Sequence, residues 1–134
     1  MGTRSLTFVY SESKRGEKAE PIMNMYRQFD GYPSGHGSEL AEFLSGGKIV
    51  NGLRFGEEGK FFNGMGDLAA QLVANFKKES GGFYLYPVSA KDCGQDYEYH
   101  IYSDRITVKD YNGKAIFTGP WVYFTEFCTE KENA

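Results

Sequence analysis

The sequence predicts an α+β fold: a mostly antiparallel β-sheet with two α-helices packed on one face. Three observations predict it. Aromatic residues make up 16% of the chain and glycine occurs 17 times, a mixture suited to strands joined by tight turns. Two central segments have helical periodicity, while both ends read as short strands. Strands and helices do not alternate as they do in parallel β-α-β folds. The length, 134 residues, suits a single α+β domain, residues 1–134, with its own core.

Each element has a local reason. Leu6 to Tyr10 is a short β-like run, and the polar stretch Ser11 to Glu20, with Gly16 inside it, reads as a hairpin loop. Ile22 to Phe29 returns as a second strand that puts Arg27 on one face with Met23, Met25 and Phe29. Ser38, Glu39 and Glu42 mark a helix start, Leu40, Phe43 and Leu44 its apolar stripe, and Gly46-Gly47 its end. A clearer helix spans about Gly66 to Lys78, with Leu68, Leu72, Val73 and Phe76 as the buried stripe. Between the helices, Lys48 to Met65 is a glycine-punctuated connection holding Arg54, Phe55, Phe61 and Phe62; connections this long are often functional. Phe83 to Tyr86 reads as a strand stopped by Pro87, and Val88 to Asp96 as a loop. Strands follow at Tyr97 to Tyr102, Arg105 to Tyr111 and Lys114 to Thr118, with Asn112-Gly113 suggesting a type I′ turn. The aromatic segment Trp121 to Phe127 fits a strand or a helix.

Composition narrows the function. A net charge of −3 provides no global basic field for a nucleic-acid polymer. No apolar run is long enough to span a membrane, and the first residues lack a signal-peptide pattern, so a cytoplasmic protein is expected. MGTRSL fits a loose myristoylation pattern, but no polybasic segment follows to support anchoring. Cys93 and Cys128 match no metal spacing and are expected to be reduced thiols.

The densest chemistry lies in MYRQFDGYPSGHG, Met25 to Gly37. Arg27 offers a planar fork of donors for phosphate or carboxylate, and Tyr26, Phe29 and Tyr32 offer ring faces. An arginine on an apolar face wants an anionic partner. Arg27 and Arg105 converging on one pocket would bind a phosphate or diphosphate; the plainer alternative has them solvated or paired with Asp30 and Asp104. Arg54 is a third basic candidate. Phe83, Tyr84 and Tyr86 could stack a base or simply pack. His36 and His100 could be ligands or acid–base groups, but their spacing fits no metal motif, and His36 beside Asp30 lacks any accompanying nucleophile motif. Gly64-Met65-Gly66 resembles an anion-binding helix start but lacks a phosphate-loop motif. Asp92, Cys93 and Gln95 could read a ligand's polar edge or serve as turn residues.

TRSLTFVY, MYRQFDGYPSGHG, NGMGDLAAQLVANF and GGFYLYP cover about a third of the chain. Together they resemble the family of phage sponges that counter the Thoeris defence system. That resemblance implies sequestration, without turnover, of a cyclic ADP-ribose-type signal, and in related members of cyclic oligonucleotides at separate sites. It implies that Arg27 and Arg105 grip the diphosphate, that Phe83 contacts base or ribose, and that Asp92 lies near the polar edge. Arg54, Tyr26 and His36 complete the expected ligand-binding set. A pocket shared between subunits implies a homodimer or larger homo-oligomer. No cofactor, metal, nucleic-acid polymer or membrane is expected. A protein–protein interaction module using the aromatic surface, or a small nucleotide hydrolase using His36 with Asp30 or Asp92, are the alternatives.

Overall fold

The computed structural model describes residues 2–12, 18–52 and 59–132. Strands β1 (Ser5–Tyr10) and β2 (Pro21–Arg27) form an antiparallel hairpin, with Thr7 opposite Met25 and Val9 opposite Met23. A π-helical turn, Pro33–Gly37, runs directly into α1 (Ser38–Leu44). Short parallel strands β3 (Lys48–Val50) and β4 (Phe61–Asn63) flank the next connection, and α2 (Gly64–Phe76) follows. Strands β5 (Phe83–Tyr86), β6 (Tyr97–Ile101), β7 (Ile106–Asp110) and β8 (Ala115–Gly119) precede α3 (Trp121–Glu132). The main sheet has the order β5-β2-β1-β6-β7-β8. Every neighbouring pair is antiparallel except β1 and β6, which run parallel.

Strand alternation divides the sheet into two faces. On the front face Val9, Met23, Met25, Tyr99, Ile101, Ile106 and Val108 form one core with Leu40, Phe43 and Leu44 of α1, Leu68, Leu72 and Phe76 of α2, and Phe124 and Cys128 of α3. The stripe of α2, Met65, Leu68, Ala69, Leu72 and Phe76, follows the three-and-four spacing that keeps side chains on one side of a helix. The back face carries a smaller cluster of Leu6, Phe8 and Tyr26, packed against Tyr10, Tyr86 and Cys93. The segment after β5 is tied to this face by Asn24, whose Nδ2 donates to the carbonyls of Pro87 and Ala90, both at 3.1 Å.

The structure corrects several expectations. Among the described residues three α-helices, not two, cover the front face, because Trp121 to Phe127 opens a helix. Trp121 anchors it: its indole N–H is shared between the carbonyls of Tyr102 (3.1 Å) and Arg105 (3.2 Å). The connection from Lys48 contributes β3 and β4, and α2 begins at Gly64. The β7–β8 turn is not type I′. Gly113 alone in the turn has positive φ (78°), the Gly113 N–H donates to the Asp110 carbonyl (2.9 Å), and Asp110 Oδ1 accepts from the N–H groups of Asn112 and Lys114. This is a type I turn with a glycine bulge, braced by the Asp110 carboxylate.

The β5 edge is blunted. Gln28 N–H donates to Gly82 O, so Tyr84 and Tyr86 direct their backbone groups at β2, whereas Phe83 and Leu85 direct theirs outward. Phe83 N–H is taken by Gly81 O (2.9 Å), and Phe83 O accepts from Lys77 Nζ (2.9 Å). A lysine on an edge strand is a common guard against unwanted pairing.

Candidate functional site

A cleft opens on each side of the sheet. The front cleft has a volume of about 770 Å³ and is lined by Arg27 of β2, Glu39 of α1, Asn75 of α2 and Phe83 of β5, with Lys60 just before β4 and Lys78 just after α2. Arg27 is the last residue of β2, and strand register places it opposite Phe83. Its guanidinium lies 4.9 Å from the Phe83 ring centre and 5.7 Å from that of Phe29, distances at which a cation is attracted to a ring face.

A buried polar network holds Arg27 in place. Arg27 Nη1 donates to His36 Nδ1 (3.2 Å) and to the Glu39 carboxylate. Arginine has no acceptor to offer, so Nδ1 must be the unprotonated ring nitrogen and Nε2 carries the hydrogen. Nε2 therefore donates to Thr7 Oγ1 at 2.7 Å. His36 is fully buried, and desolvation, helped by the Arg27 charge, lowers its pKa to about 3. It is neutral at physiological pH, with both nitrogens engaged, and does not line the cleft.

The turn that delivers His36 has strict backbone requirements. Asp30 adopts φ 58°, and its carbonyl accepts from His36 N–H (2.7 Å). A Cβ on Gly35 would lie 2.6 Å from that carbonyl oxygen, so the chain closes only over glycine. Tyr99 fastens the loop from below, its hydroxyl donating to Gly31 O at 2.7 Å.

The back cleft, about 540 Å³, is lined by Phe8, Tyr10, Lys18, Lys91, Tyr102 and Arg105 among others. Its floor is a run of rings: Phe8 stacks on His100 (5.0 Å) and Tyr10 on Tyr102 (4.3 Å). Arg105 lies 3.9 Å from the Tyr102 ring centre and is paired with Asp104 at 2.9 Å, the arginine side chain half-exposed and the aspartate mostly in solvent. Below them, His100 Nε2 donates to Glu98 Oε1 (2.9 Å), and Tyr10 O–H donates to His100 Nδ1 (2.7 Å). The bond from His100 lowers the Glu98 pKa, and burial raises that of Tyr10.

The expected site residues are therefore divided. Arg27 and Phe83 meet in the front cleft. Arg105 does not join them: it lines the back cleft, because it alternates with Ile106 and Val108, whose side chains face the front core. Its partner is Asp104, as the plainer reading has it, whereas Arg27 pairs with Glu39 and not Asp30. His36 supports Arg27 from within the core. Tyr26 is buried on the back face, stacked on Tyr86 (5.0 Å), and lines neither cleft. Asp92 is exposed and lines neither. Arg54 lies outside the described residues. Glu39, Lys60 and Lys78 in front, and Tyr10, Lys18, Lys91 and Tyr102 behind, were not singled out from sequence. Only Tyr102 carried a usable signal, as an aromatic three positions before a candidate arginine.

No family model, curated protein or solved structure matches this chain. Among the described residues, no helix is long and apolar enough to cross a membrane.

Proposed function

We propose that the protein binds a cyclic nucleotide signal of the cyclic ADP-ribose type and sequesters it without turnover, in the manner of the phage anti-Thoeris sponges it resembles. The observation that carries this reading is the Arg27–Phe83 pair: a guanidinium fixed in a cleft, with a ring beside it. Phosphate suits the first and a base or ribose the second. The back cleft repeats the combination in Arg105 and Tyr102. One protomer keeps these clefts apart, so gripping one diphosphate with both arginines requires two copies, the Arg27 cleft of one meeting the Arg105 cleft of the other. The functional unit in this reading is a homo-oligomer in the host cytoplasm.

The test is capture and release. The protein is incubated with cyclic ADP-ribose and its ring-isomeric relatives, separated from free ligand, heated, and the supernatant chromatographed. Intact ligand in the supernatant is expected; altered ligand would indicate an enzyme, and no captured ligand would remove the reading. Arg27→Ala and Arg105→Ala should each abolish capture. In a randomly mixed oligomer of the two variants, about a quarter of the shared sites should regain it.

A further inference from the structure

We propose that Glu39 is a displaceable occupant of the Arg27 anion seat, which a ligand phosphate must evict to bind. This rests on the reading that the front cleft receives the ligand's phosphates.

The geometry separates a fixed partner from a movable one. Arg27 is 6% exposed, and the Thr7–His36 chain holds its Nη1 from the core side, so the guanidinium stays when its counter-ion leaves. The Glu39 side chain is 52% exposed and stands in the first turn of a seven-residue helix, free to turn toward water. The bond between them uses Nη1 alone. Arg27 Nε is buried without a partner, whereas Nη2 makes no hydrogen bond among the described residues and is not among the buried unpartnered atoms. Nη2 is thus left without a partner among the described residues, on an arginine that lines the cleft. A phosphate can engage both Nη groups through two oxygens, and such a fork is stronger than the single contact Glu39 makes.

Besides Glu39, the cleft is lined among the described residues by one further carboxylate, Glu42, against two lysines, so once Glu39 swings out the cations outnumber the acids. Lys60 and Lys78 line the same cleft. Lys60 Nζ donates to the carbonyls of Glu42 (3.1 Å) and Ser45 (3.2 Å), and Lys78 Nζ to that of Ala74 (3.0 Å), so neither cation is neutralised by a carboxylate in these contacts. Glu39 thereby sets a threshold: singly charged anions gain too little to evict it, and a multiply charged phosphate gains enough.

The decisive measurement is calorimetric titration of the full-length protein with inorganic pyrophosphate at fixed ionic strength. Glu39→Gln keeps the side chain's shape and removes its charge, and should tighten pyrophosphate binding by about tenfold, the order expected when one charge-assisted contact stops competing. Glu39→Ala should do the same, and both variants should gain more thermal stability from pyrophosphate than wild type does. Arg27→Ala should abolish binding in either background. Unchanged or weaker pyrophosphate binding in both Glu39 variants would overturn the proposal. If nucleotide capture were still lost in Arg27→Ala, the front-cleft reading would survive that failure; capture unaffected by Arg27→Ala would overturn both.

Discussion

The two faces of the sheet each present an arginine beside an aromatic ring, yet they hold it in opposite ways. In front, Arg27 is buried and tied through His36 to Thr7. Behind, Arg105 lies along the outer side of Tyr102 with Asp104 for company. The front arginine is part of the fold, and its position is set before any ligand arrives. The back arginine is adjustable and owes the core little. A binding surface that joins the two would pair a rigid half with a compliant one.

The sharpest way to break this contrast is to remove each charge in turn. Arg27→Met should cost about 2–3 kcal/mol, because it strands a buried histidine acceptor and frees a carboxylate. Arg105→Met should fall within about 0.5 kcal/mol of wild type, as exposed pairs do. Urea unfolding of the two variants checks both values, and equal losses would erase the distinction.

Acid should separate the faces next. The folded-state pKa of His36, about 3, lies below that of an unfolded histidine. Between the unfolded value, about 6.5, and the folded one, the unfolded chain binds a proton that the native protein refuses. Stability from this group is complete above the unfolded value and declines as pH falls, by up to about 1.4 kcal/mol per pH unit. His36→Gln offers the same acceptor to Arg27 and donor to Thr7 but does not titrate, so its unfolding free energy should fall less steeply between pH 6 and 4.

A smaller effect is expected behind. Tyr10→Phe deletes the hydroxyl that meets His100 while leaving the ring stack with Tyr102, and should cost about 1 kcal/mol by thermal unfolding. Smallest of all is a difference in thiol reactivity. Burial pushes Cys128 up to about 12, and burial with Asp92 and Glu98 nearby raises Cys93. Both should alkylate slowly at pH 8, Cys93 on the half-buried back loop ahead of Cys128 in the front core; mass spectrometry of a time course would show the order.

Much of this architecture was legible in the sequence where one face of an element is apolar. The stripe Leu68, Leu72 and Phe76 announces α2, and alternation in Tyr97 to Ile101 announces β6. The same alternation correctly put Arg27 with Met23 and Met25. α3 stayed ambiguous because its residues contradict both patterns. Trp, Val, Tyr, Phe and Thr favour strands, and Val122 and Tyr123, 75% and 59% exposed, blur the helical stripe of Phe124 and Cys128. Packing against the front face decided what propensity did not. The site was half legible for a different reason. A residue's face can be read from spacing, but its partners depend on how distant segments fold over it. Asp30, three positions from Arg27, looked like the counter-ion. Its left-handed backbone instead sends its carboxylate toward the Tyr32 hydroxyl (3.3 Å), and Glu39 arrives from the next helix. The face of Arg105 was legible from spacing: it is one position out of phase with Ile106 and Val108, which face the front core, so alternation turns it to the back.

The parallel pairing of β1 with β6 has a consequence for how the molecule is made. These strands sit at the middle of the sheet, and Arg4 N–H meets Asp96 Oδ2 across 92 positions of sequence. The β1–β2 hairpin, which carries Arg27, can form early from local contacts, but its inner flank stays open until the chain through Ile101 has been synthesised. Closing so long a loop is entropically costly and comes before the contacts that reward it. The halves of the sheet therefore mature separately and fuse along one seam, so a ribosome paused before Tyr97 would display a hairpin bearing Leu6, Phe8 and Val9 with no neighbour on that side, a surface for chaperones to hold.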